Sequence, residues 1–170
     1  MKGKRISVVP YEARWEKDFL DLRAGIEKAL GGLAVGIEHV GSTAVEGLPA
    51  KPIIDIDAVI EDRSHLSEAI ARLAEVGYRH EGDLGIAGRE AFRYEGKNPL
   101  PEHHLYVCAR DSAELRRHIA FRDYLRSHPE AAREYGRIKE EGAALYPHDA
   151  DLYIRHKAPF VEGIYRKIGL

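Results

Sequence analysis

The 170-residue chain is 44% hydrophobic and sets 26 Lys and Arg against 28 Asp and Glu, a formal net charge of −2, with a pI of about 6.5. A balance so near neutrality offers no broad positive field to nucleic acid or to an acidic membrane, and the single cysteine, Cys108, excludes an internal disulfide and a cysteine metal cluster. The length suits one well-buried core, so residues 1–170 are expected to form a single domain.

The basic start, Met1 to Arg5, runs into Val-Val-Pro rather than a long apolar helix. Neither a signal peptide nor a membrane span is expected, and the cytoplasm is the expected compartment. A strand is predicted near Ile6 to Val9, then a helix from about Ala13 to Leu30 with Trp15, Phe19, Leu22, Ile26 and Leu30 on one face. Gly31-Gly32 ends it. A strand near Ala34 to Val40 leads to a Gly41-Ser42 turn, with a short helix at Thr43 to Val45 and a strand from Ile53 to Ile60. A helix from about Ser64 to Val76 should bury Leu66, Ile70 and Leu73; strands follow near Glu90 to Glu95 and His103 to Cys108, joined through a Pro99 and Pro101 loop. From Asp111 the texture is helical. Asp111 or Ser112 caps one helix, His128-Pro129 separates it from a second, and the segment around Pro147 to Ala150 separates that from a third, which reaches about Ile168 and is bent or delayed by Pro159. The pattern is α+β, with an α/β core over about 1–110 and helices over about 111–170.

The strand Ile54-Asp55-Ile56-Asp57-Ala58-Val59-Ile60 carries the chemistry. Alternation puts Asp55, Asp57 and Val59 on one face and an unbroken apolar row on the other, so burial of that row fixes both carboxylates. Residues two apart on a strand are about 6.6 Å apart at Cα, close enough for two carboxylates to converge on one hard cation. Mg²⁺, or Mn²⁺, takes few protein oxygens and completes its shell with water and substrate phosphates, so the pair suits a magnesium nucleotide. Two neighbouring anions also raise the proton affinity of one of them. Separated from Asp55 by a twelve-residue insert, Gly41-Ser42 can bring backbone amides and a hydroxyl to a phosphate. Alone, a Gly-Ser turn is commonplace, and a lone Asp-X-Asp also fits a solvated sheet end; their combination is what points to a nucleotide and metal site.

On the last helix, Tyr153, Lys157, Phe160, Ile164 and Ile168 share a stripe. Lys157 therefore either packs its stem with its ammonium in water or meets phosphate. Lys51, Arg89 and Arg93 are further candidates for charge on a triphosphate, with solvent-facing roles as the alternative. His39 shares a strand face with Val35 and Ile37 and is expected to be a hydrogen-bonded structural residue. The nine histidines lack the paired spacings of a zinc finger or zinc helix.

Glycine-serine, a short insert and an Asp-X-Asp strand resemble the nucleotidyltransferase superfamily with a polymerase-beta-like core. More closely, His39-Val40-Gly41-Ser42-Thr43-Ala44-Val45, Gly47-Leu48, Ala50-Lys51-Pro52 and Ile54-Asp55-Ile56-Asp57 resemble the GrpB family, as do Val9-Pro10-Tyr11 with Trp15 and Phe19, His104-Leu105-Tyr106-Val107, and Tyr153 with Lys157 and Phe160. The resemblance implies a mixed sheet flanked by helices, a cleft over the aspartate strand, and a link to coenzyme A chemistry through domains fused to dephospho-CoA kinase. It also implies that Asp55 and Asp57 hold metal and that a third acid stands on a neighbouring strand. Alternation on that strand puts Glu102, His104 and Tyr106 on one face, so His104 takes the third position, with Glu102 or Glu95 in reserve. A neutral histidine accepts a proton near pH 7 but does not neutralise Mg²⁺ as aspartate does.

The expectation is an α+β nucleotidyltransferase-like domain that binds a magnesium nucleoside triphosphate through Gly41, Ser42, Lys51, Arg93, Tyr153 and Lys157 and transfers a nucleotidyl group to a small acceptor through Asp55, Asp57 and His104. Nucleic acid and membranes are not expected partners. The alternative is a non-catalytic regulatory module that binds a nucleotide or a coenzyme A precursor.

Overall fold

The computed structural model describes residues 3–170; residues 1 and 2 of the basic start lie outside the described residues. Five strands, β1 (Ala34–Val40), β2 (Ile54–Ile60), β3 (Tyr78–Gly82), β4 (Glu90–Tyr94) and β5 (His103–Ala109), form one mixed sheet in the order β1-β2-β5-β4-β3. β2 runs parallel to β5, and the other neighbours are antiparallel. The aspartate strand thus has a neighbour on each side: Asp55 lies opposite Val40 on β1 and His104 on β5, and Asp57 opposite Glu38 and Tyr106.

The apolar row of β2 is what registers the sheet. Ile54, Ile56, Ala58 and Ile60 are buried with Leu105, Val107 and Phe92 against α1 (Arg14–Leu30) and α2 (Leu66–Glu75). α1 contributes Trp15, Phe19, Leu22, Ile26 and Leu30, the stripe its spacing predicts. Over the opposite face lie α3 (Ala113–Ser127), capped by the Ser112 side chain, then α4 (Pro129–Leu145) and α5 (Ala150–Lys167), capped by Asp149. Val59 and Cys108 of that face meet Leu115 of α3. A separate cluster joins Val45 and Leu48, from the segment between β1 and β2, to Leu125, Ala132 and Tyr135 of the helices.

Three expectations need correction. The segment at residues 6–9 forms only a single bridge, Val9 to Ala50, because no strand lies alongside to extend it. β3 has no counterpart among the predicted elements. α5 begins at Ala150 and continues through Pro159, so proline neither delays its start nor ends it; Pro159 is exposed, where water can serve the carbonyl whose amide partner is missing. The turn after β1 is a single 3₁₀ turn, Ser42–Ala44. Among the described residues no helix is long and apolar enough to cross a membrane.

Candidate functional site

Gly41 ends β1 at φ 74°, a left-handed conformation that favours glycine. A Cβ there would overlap Oδ2 of Asp55, so the turn can lie directly against the carboxylate only because the residue is glycine. Ser42 follows and, with Gly41 and Asp55, opens onto a cleft of about 860 Å³ walled by Phe121 of α3, Tyr135 of α4 and Lys157 of α5.

The two aspartates share a face as alternation requires, in different surroundings. Asp55 has a side chain 31% exposed and accepts a hydrogen bond from Nδ1 of His104 at 2.9 Å. Asp57 is fully buried and accepts one on Oδ2 from Nδ1 of His118, on α3, at 2.6 Å. Burial raises the Asp57 pKa above the ordinary carboxylate value, against the hydrogen bond and charge of His118; repulsion from Asp55 is a smaller contribution than the spacing alone suggests. Burial opposes charge on His118 as well, yet the hydrogen bond and charge of Asp57 hold its pKa above the ordinary value. His104 is raised by its bond to Asp55.

On the neighbouring strand it is His104 that stands beside Asp55. Neither reserve acid turns toward the pair: Glu102 meets Lys4 at 3.4 Å and Glu95 meets Arg79 at 3.3 Å. Among the described residues no group of three or more His, Cys, Asp and Glu side chains is arranged to hold a metal ion. The donors present still fit a cation that needs only two protein oxygens. Oδ1 of Asp57 is buried without a hydrogen-bond partner, and a cavity of about 200 Å³ lined by Gly41, Asp55, Arg89, Tyr106 and His118 opens beside Asp55, with Asp57 buried next to it and outside its lining.

Cations gather on the α4–α5 side. Nζ of Lys51 and Nζ of Lys157 lie 5.3 and 5.1 Å from the centre of the buried Tyr153 ring. A third lysine, Lys139, is only 2% exposed, its Nζ has no hydrogen-bond partner and lies 4.7 Å from the Tyr135 ring centre. Burial, with Lys157 and Lys51 adding repulsion, pushes Lys139 down to about 6. Burial also lowers Lys51 and Lys157.

Of the predicted site residues, Gly41, Ser42, Asp55 and Lys157 line this cleft; Lys51 and Tyr153 join it through Lys157, whose ammonium shares the Tyr153 ring with that of Lys51, while His104 reaches it only through Asp55 and Asp57 lies buried beneath it. Arg93 does not join them. It is exposed on β4 and lines a different cavity, of about 470 Å³, that reaches His104 from the other side. Arg89 stacks over Tyr106 with its Cζ 4.3 Å from the ring centre. His39 is buried, 2.9 Å from Thr43 Oγ1 and stacked on Phe19, and burial drops its pKa to about 4, so it stands as a neutral structural ring. Sequence reasoning missed Lys139 and His118. Each sits on a buried helical stripe, Ala132-Tyr135-Lys139-Gly142 and Leu115-His118-Leu125, and a charged residue on such a stripe is the signal that would have found it.

A model of the GrpB protein family matches residues 5–167. The chain belongs to the GrpB family. It superimposes on the crystal structure of conserved protein GrpB from Enterococcus faecalis with a TM-score of 0.84 and 31% identity, over 95% of this chain and 96% of that one. It is 33% identical to the glutamate-rich protein GrpB of Alkalihalophilus pseudofirmus, over 98% of this chain and 97% of the relative. UPF0157 protein YqkA of Bacillus subtilis is 30% identical over 94% of this chain, which spans only 46% of that protein's length. The expected kinship with dephospho-CoA kinases also appears: that of Mycolicibacterium paratuberculosis is 25% identical over 94% of this chain and 46% of the kinase. The GLD-2/RNP-8 complex shares the fold, with a TM-score of 0.59 at 15% identity over 86% of this chain and 59% of that one. The GrpB chain therefore has an α+β fold of the nucleotidyltransferase, polymerase-beta-like kind.

Proposed function

We propose that this GrpB domain binds a nucleoside triphosphate with a divalent cation and transfers the nucleotidyl group to a small acceptor. The observation that carries the binding is the convergence of Lys51, Lys139 and Lys157 around Tyr135 and Tyr153, with Lys157 and Tyr135 lining the same cleft as Asp55 and Ser42. Three lysines drawn together, one of them buried without a partner, are each disfavoured in the charged form until an anion arrives. A polyphosphate tail supplies that anion, and the aromatic walls of the cleft accommodate a nucleoside.

Asp55 and Asp57 would hold the cation, Mg²⁺ or Mn²⁺, which when bound polarises phosphate oxygens and offsets charge that develops during displacement. The chain's own residues supply the rest. Gly41 and Ser42 bring an amide and a hydroxyl to the phosphates. The lysines orient the leaving end and neutralise it. His104 donates from Nδ1 to Asp55, which leaves Nε2 to take the proton of an acceptor approaching through the cavity that Arg93 lines. The chain's near-neutral charge supports a small acceptor over a polynucleotide.

A second reading, a regulatory module that binds nucleotide or a coenzyme A precursor without reaction, is supported by the imidazole that stands where a third carboxylate is expected. Calorimetry with each of the four nucleoside triphosphates, with and without Mg²⁺, tests what the two share. Asp55→Asn, at a part-exposed position, should leave the fold intact and weaken magnesium-dependent affinity about 10-fold or more; unchanged affinity would sink both. Pyrophosphate release from a bound triphosphate in the presence of small hydroxyl or amine acceptors, abolished in Asp57→Asn, separates transfer from binding alone.

A further inference from the structure

Behind the Ser42–Ala44 turn, on the side away from the aspartates, lies a second cavity of about 640 Å³. Its volume falls in the range of small-molecule sites. The floor is buried and largely apolar: Phe19 stacked on the neutral His39 ring, with Thr43, Val45 and Leu125 around them. The rim is charged, and the charges are sorted. Glu16 of α1 and Glu46 stand beside Tyr11, and their negative charge, after burial, helps raise its phenol above the ordinary value. Arg126 of α3 and Arg133 of α4 stand on the helical side.

Among the described residues none of these four side chains forms an ion pair. The two acids and the two arginines thus stand on the rim with their charges uncommitted to each other, open to a ligand that carries both signs. Arg126 is also fixed in advance. Its Nε and Nη2 both donate to the carbonyl of Ala44, at 2.9 and 2.8 Å, which holds the guanidinium plane and leaves Nη1 free.

We infer that this cavity binds a small zwitterion, an amine at the Glu16–Glu46 end and a carboxylate at the Arg126–Arg133 end, joined by an apolar spacer that lies over Phe19 and Val45. A ligand with charges too close together cannot span the gap, and a ligand with one charge leaves the other end unserved. The site is distinct from the nucleotide cleft: no residue lines both cavities, and the turn together with the packed side chains of α3 and α4 separates them.

The ω-amino acids glycine, β-alanine, γ-aminobutyrate, δ-aminovalerate and ε-aminocaproate act as a ruler for that gap. In thermal unfolding of the whole chain, one or two of the longer members are expected to raise Tm by about 3 °C or more at roughly ten times their Kd. Glycine, butyrate and butylamine should not. Glu46→Gln and Arg133→Gln, both at exposed positions, should each abolish the shift, while Asp55→Asn should retain it. The assignment is overturned if no member stabilises the chain, if butyrate or butylamine does so equally well, if the shift survives both rim variants, or if it is lost in Asp55→Asn, which would put the ligand in the aspartate cleft.

Discussion

Lys139 holds an amine where water does not reach, and that makes it a reporter of the cleft. Its folded value of about 6 stands against an ordinary 10.5, so between those limits the unfolded chain binds a proton that the folded chain does not. Stability therefore rises with pH across that interval. Lys139→Met, of similar length and without charge, is expected to raise stability at neutral pH by about 1 kcal/mol or more, roughly 2–4 °C in Tm, and to flatten the pH slope in urea unfolding. In binding the sign is opposite. Phosphate beside the ammonium favours its charged form, so triphosphate binding should take up a proton above pH about 6, and affinity should fall as pH rises. Calorimetry in buffers of different ionisation enthalpy reads that uptake directly, and Lys139→Met should remove it. His118 gives a further test. Its raised value contributes stability that is fully present below the ordinary 6.5 and is lost as pH rises through the folded value. His118→Ala strips the one hydrogen bond from the buried Asp57 carboxylate and should cost about 3 kcal/mol in denaturant unfolding at pH 6, less at higher pH. Neither residue belongs to the Gly-Ser and Asp-X-Asp pattern, and for that reason both escaped a reading centred on it.

Among the elements, the β1–β2 connection is the most demanding. Gly41 must adopt a positive φ and also admit Asp55 against its α-carbon. Gly41→Ala should therefore cost about 1–3 kcal/mol in urea unfolding and weaken triphosphate binding at the same time, because relief of the overlap moves Asp55. The aspartate strand itself was legible, since Ile54, Ile56, Ala58 and Ile60 leave one register for it. β3 was not. In Tyr78-Arg79-His80-Glu81-Gly82 only Tyr78 is buried, the strand has one neighbour, and its register slips between His80 and Gly82. An edge strand with charged outward positions has little apolar alternation to announce it. Helix α5 shows the reverse error: Pro159 was given more weight than the continuous stripe of Tyr153 and Ile164 around it.

At the scale of the molecule, the helices of residues 111–170 and the sheet before them are stitched together by Val45, Leu48, Leu125 and Tyr135. Leu48 is 1% exposed, so Leu48→Ala should cost about 2–4 kcal/mol. Unfolding followed by sheet and helix probes should remain one transition in that variant; two separated transitions would show that the halves are energetically distinct. Which strands neighbour β2, and that α3 supplies a partner to Asp57, depends on contacts between distant parts of the chain, which no local pattern encodes. The placement of the lone thiol has a practical corollary. Cys108 is buried on β5, and burial pushes its pKa up to about 12, so thiolate is scarce and reagents have little access to it. For maleimide chemistry the native chain should behave as a blank, and a cysteine introduced at a single chosen position could carry a fluorophore or spin label without background.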